Sequence, residues 1–108
     1  MGFGNRSVNI LKPLLDQAKS ETQTFGKPTR KTLLDIADRL VSCAPNMYSY
    51  QSYYTDAERD EAKRILREND LDYLCNLSPR YKARTLVLIE AEKKILSDNV
   101  AAQLEVTA

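Results

Sequence analysis

The sequence predicts an all-α fold: a compact bundle of four to five helices ending in a long C-terminal helix. Three observations carry this. Apolar residues recur every three to four positions in successive segments, as they do along one face of an α-helix. Turn and cap signals divide those segments at Gly26-Lys27-Pro28, Pro45, Asn69-Asp70 and Ser78-Pro79. No segment shows the period-two alternation, bounded by turns, that a hairpin requires.

The first helix is expected over 7–20, with Ser7 as N-cap and Val8, Leu11, Leu15 and Ala18 at helical spacing. Pro13 argues for a later start at Lys12, because proline is tolerated in a first turn and costs ~3 kcal/mol inside a helix. Either version ends near Gly26. Thr29 then caps a second helix with Leu33, Ile36, Ala37, Leu40 and Ala44 on one face, stopped by Pro45. The stretch from Asn46 to Tyr54 reads as a loop or a short irregular helix.

Thr55-Asp56-Ala57-Glu58 has capping-box spacing and opens a third helix over 56–68. Ala62, Ile65 and Leu66 give it a narrow apolar stripe, so it lies on the surface, with Asp60, Arg64 and Glu68 spaced for ion pairs. Leu71, Leu74 and Cys75 mark a short fourth helix. Ser78-Pro79 starts the last and longest helix, which runs at least to Leu96. Its stripes Leu88-Ala91-Ile95 and Ile89-Leu96-Val100 together are wider than one neighbouring helix covers. This helix is therefore either central or faces a partner as well. A strand over 85–89 is the competing reading, since a short β-branched apolar run does not by itself distinguish strand from buried helix.

The chain has 108 residues, enough for one domain with its own core and with little room for a second. Sixteen Lys and Arg against fifteen Asp and Glu leave a net charge of +1, so composition does not point to a polyanionic partner. The longest apolar run, Leu86-Val87-Leu88-Ile89, is far below the ~18 residues of a membrane span. The N-terminal residues carry no signal-peptide pattern, and the expected compartment is the cytoplasm. Cys43 and Cys75 read as buried free thiols, with a structural disulfide between them as the alternative.

The chain contains no histidine, which removes the usual general base, the commonest metal ligand and every Ser-His or Cys-His pair. It also lacks a Cys-x-x-Cys and a glycine-rich phosphate loop. No enzyme activity, cofactor or metal is expected. Asp56, Glu58, Asp60 and Glu61 form the densest acidic group, but Arg59, Lys63 and Arg64 are interleaved with them, and the group reads as a solvated helix face.

Two surfaces stand out. Tyr48, Tyr50, Tyr53 and Tyr54 crowd into seven residues, and tyrosine combines large contact area with low entropic cost. They form a recognition surface, or two or more of them pack inward. Arg80, Lys82 and Arg84 gather at the start of the last helix, where cations oppose the dipole and suit an anionic partner; Lys27, Arg30 and Lys31 form a second basic group. Solvated charge is the alternative for both.

Thr32-Leu33-Leu34-Asp35-Ile36-Ala37-Asp38-Arg39-Leu40 resembles the first helix of the helix-turn-helix in lactose-repressor-type regulators, over nine residues. That resemblance implies a recognition helix near Asn46 to Gln51, with Tyr48, Ser49 and Gln51 reading base edges.

The expected function is a non-enzymatic protein-binding module that regulates, inhibits or adapts a larger intracellular complex. A viral or mobile-element inhibitor or anti-defence protein would fit this description. A DNA-binding helix-turn-helix regulator and a virion assembly component are the alternatives. The expected partner is a protein, ahead of nucleic acid and not a membrane, and a homodimer through the last helix is compatible with its width.

Overall fold

The computed structural model describes residues 10–43, 53–75 and 82–107, with side chains described through residue 99. Helix α1 spans Lys12–Phe25, α2 Arg30–Ser42, α3 Asp56–Glu68 and α4 Lys82–Thr107, with a 3₁₀ turn at Asp72–Cys75 between α3 and α4. The protein is an all-α bundle, and no strand occurs among the described residues. The segment 85–89 is helical, so the strand reading fails.

Helix α1 begins at Lys12 rather than at residue 7. Pro13 thereby falls in the first turn, where its missing N–H costs no helical bond. Leu11, in the N-cap position, is fully buried and supplies no side-chain cap. Gly26 closes the helix in the left-handed region (φ 89°), its N–H donating to the Thr22 carbonyl at 2.9 Å.

The α1–α2 corner is held by one carboxylate. Glu21 accepts from the Thr29 N–H at 2.8 Å, the Thr29 hydroxyl at 3.1 Å and the Thr32 hydroxyl at 2.8 Å. Thr32 is buried, and this bond satisfies a hydroxyl that would otherwise be costly there. Thr29 in turn caps α2.

Helix α2 buries Thr32, Leu33, Leu34, Ile36, Ala37, Leu40 and Val41, more than one helical face, and packs against α1, α3, the 3₁₀ turn and α4. It is the central helix, a position the sequence offered to α4. Ala44 and Pro45 lie outside the described residues.

Helix α3 starts with a complete capping box between Thr55 and Glu58 and buries Ala62, Ile65 and Leu66. Its charges pair locally: Arg59 with Asp56 and Asp60, Arg64 with Glu61 and Glu68. Arg64 thus reaches Glu68 as expected but takes Glu61 in place of Asp60. The helix ends in a Schellman motif. Asp70 adopts φ 62°, the Leu71 N–H donates to Leu66 and the Asp70 N–H to Arg67. Leu66 and Leu71 are both buried, which supplies the apolar contact of that motif.

The expected short fourth helix is a 3₁₀ turn over Asp72–Cys75. Leu71 and Leu74, three residues apart, are both buried, and a three-residue period places them on one side. Cys43 and Cys75 are free thiols, so the disulfide alternative is not realised.

Candidate functional site

Helix α4 has two unlike faces. Its inner face carries Thr85, Leu86, Ile89, Lys93 and Leu96, with Thr85 and Ile89 buried and Leu86 and Leu96 packed against the core. Only α2 and the 3₁₀ turn contact it among the described elements. The outer face carries Val87, Leu88 and Ile95, exposed to 68, 43 and 54%, with exposed Ala91 between them. A single exposed leucine needs no explanation, but an apolar stripe sustained over two helical turns does.

Ion pairs on the inner side fix which face looks out. Lys93 reaches Asp38 of α2 at 2.7 Å and Asp35 at 3.7 Å, while Arg30 at the start of α2 reaches Glu92 at 2.8 Å. Tyr73 in the 3₁₀ turn also donates to Glu92, at 3.0 Å. Glu92 is held below the usual carboxylate range by the hydrogen bond from Arg30 and then by that from Tyr73. Burial pushes the Asp38 carboxyl up, but hydrogen bonds from Lys93 and Ser42 outweigh it and leave the group low. A rotation of α4 that buried Leu88 would break both pairs.

The tyrosines divide. Tyr54 is buried and donates its hydroxyl to the Leu40 carbonyl at 3.0 Å, so it belongs to the core. Tyr53 is half-buried against the same core, and its carbonyl accepts from the Ile10 N–H at 3.2 Å. Tyr48, Ser49, Tyr50 and Gln51 lie outside the described residues, as does the rest of the recognition helix implied by the repressor resemblance. Arg80 lies outside them too. Lys82 is half-buried and Arg84 is exposed at the start of α4. In the second basic group, Arg30 is engaged by Glu92 and Lys31 by Asp35, leaving no cationic cluster there.

An open groove of about 730 Å³ runs between α1 and α3, floored by Leu15, Ala18 and Ile65. Its rim alternates in sign, with Lys19, Lys27 and Arg64 beside Asp16, Glu61 and Glu68. No three metal-ligating side chains converge among the described residues. No helix of the described residues is long and apolar enough to cross a membrane.

Val87, Leu88, Ala91 and Ile95 are absent from the residues that tyrosine and charge clustering single out. The signal for Leu88, Ala91 and Ile95 is the doubled apolar stripe of the last helix, which periodicity detects without telling which half is covered, and Val87 stands in its longest apolar run. Comparison with protein-family models, with curated proteins and with solved structures gave no match.

Proposed function

We propose that this protein is a non-enzymatic protein-binding module that docks through the outer face of α4. The observation that carries the reading is the exposed run of Val87, Leu88, Ala91 and Ile95 on a helix whose opposite side is locked onto α2. A rigid helix with an apolar stripe meets a partner at little conformational cost, because the helix is already formed and its rotation set.

The charge distribution supports a protein rather than a nucleic-acid partner. Arg30, Lys31, Arg59, Arg64 and Lys93 are all spent on acidic neighbours within the chain, so the basic stripe that duplex binding requires does not assemble from them. Regulation or inhibition of a larger complex is the role that suits such a module.

Affinity capture of the tagged chain from the cells that make it tests the reading, using wild type beside Leu88→Glu and Ile95→Glu. The expected result is a stoichiometric protein partner lost from both variants at unchanged melting temperature. Capture that both variants retain would refute docking through α4.

A further inference from the structure

Resting on that reading, we propose that the partner of the outer α4 face is a second copy of this chain, paired antiparallel about a two-fold axis at Ala91. The face is self-complementary in this orientation. Arg84 and Asp98, both exposed, lie seven residues to either side of Ala91 and nearly in line with it, since seven residues are close to two helical turns. A two-fold axis at Ala91, perpendicular to α4, reverses the helix and sets Arg84 of each copy against Asp98 of the other.

The flanks match as well. At 100° per residue, Leu88 and Ile95 fall on one flank of Ala91, and Val87, Glu90 and Lys94 on the other. The axis keeps each flank against its own counterpart while reversing position along the helix. Leu88, three residues before the axis, then meets Ile95 of the second copy, four residues after it. Glu90 comes within two residues, ~3 Å along the axis, of the second copy's Lys94. The stem of that lysine covers Val87. Ala91 at the crossing point presents only a methyl group, which lets the two helices approach closely.

Parallel pairing satisfies none of this. It sets Arg84 against Arg84 and Asp98 against Asp98, and turns the apolar flank of each copy toward the charged flank of the other. The antiparallel arrangement makes every contact twice, as an isologous interface does. Among the described elements, those that contact α4 are α2 and the 3₁₀ turn, on the side of Ile89 and Lys93 and opposite the second copy.

Sedimentation equilibrium of the full chain over a concentration series tests the pairing, with circular dichroism confirming that each variant is folded. Wild type is expected to reach twice the single-chain mass. Arg84→Glu and Asp98→Arg each set like charges opposite one another at two places and should weaken self-association by roughly tenfold or more. An equimolar mixture of these two variants should restore it, because every acidic position then meets a basic one. Ala91→Cys should give a disulfide-linked dimer on mild oxidation, well above any formed by wild type through its own two cysteines.

A chain that stays monomeric throughout, a dimer of unchanged strength in Arg84→Glu, or no gain in cross-linking from Ala91→Cys would each overturn the pairing. A monomeric wild type whose Leu88→Glu variant still loses a different protein partner would overturn the pairing and leave docking through α4 standing.

Discussion

The ammonium of Lys93 lies 2.7 Å from a carboxylate oxygen of Asp38, 55 residues earlier in the chain, and joins α4 to the central helix. Both side chains are less than one-third exposed, so the pair is screened less than a surface contact. Lys93→Ala is expected to lower unfolding free energy by about 1–2 kcal/mol in urea titration, mostly by leaving Asp38 without its cation. Arg30→Ala, at the more exposed pair with Glu92, should cost less.

Acid should loosen the bundle through the same carboxylates. Glu21, Asp38 and Glu92 are all held below their ordinary values in the fold. Burial pushes Glu21 up, but hydrogen bonds led by the Thr29 N–H overcome it. Depressed folded values mean that their stabilisation is fully present above the unfolded carboxylate values and is lost as pH falls through the folded ones. Melting temperature should therefore hold down to about pH 4 and fall below it. Glu21→Gln should flatten part of that fall.

Asp70 adopts a left-handed conformation that glycine accepts without penalty. Asp70→Gly is expected to raise stability by about 0.5–1 kcal/mol, despite the greater freedom it gives the unfolded chain. Gly26→Ala, at φ 89°, should lower stability by about 1 kcal/mol, although no atom stands in the way of the added methyl. Thermal denaturation of the two variants checks both signs.

Tyr54→Phe should cost about 1 kcal/mol, because it leaves the Leu40 carbonyl without the donor that it has in the core. Partner binding should be unchanged, since Tyr54 is buried. Reduced binding at unchanged stability would place this ring in an interface instead.

The two thiols should react unequally. Burial pushes the Cys75 thiol up to about 11, so little thiolate forms near neutrality. Cys43 is only partly buried. A thiol reagent at neutral pH should label about one site per chain, at Cys43, and reach Cys75 only on unfolding. Rapid labelling of both would contradict the buried position of Cys75.

Local chemistry made much of this fold legible. Thr29, Thr55 and Pro13 each signal a helix start through a specific backbone requirement, and the helices begin where those requirements are met. Long-range arrangement was less legible. Apolar spacing marked both stripes of the last helix, but only the contacts of Ile89, Lys93 and Glu92 with the rest of the chain decide which stripe is covered. The central place of α2 escaped for a related reason, because Leu34 and Val41 lie beside the face that periodicity selected and are buried as well, in a helix that contacts α1, α3, the 3₁₀ turn and α4. Residue type left Tyr54 undecided between surface and core. A tyrosine-rich stretch suggests a binding loop, and nothing local shows that one hydroxyl finds a carbonyl in the core.

On the proposed reading α4 divides into a structural face and a binding face one residue apart, and the adjacent pair Leu88 and Ile89 separates the two. Melting temperature and sedimentation mass would be measured together for Leu88→Glu and Ile89→Glu. Leu88→Glu is expected to melt like wild type but to lose association, and Ile89→Glu, which buries a charge in the core, to be unfolded or severely destabilised. A Leu88→Glu chain that unfolds as Ile89→Glu does, or that associates as wild type does, would contradict it.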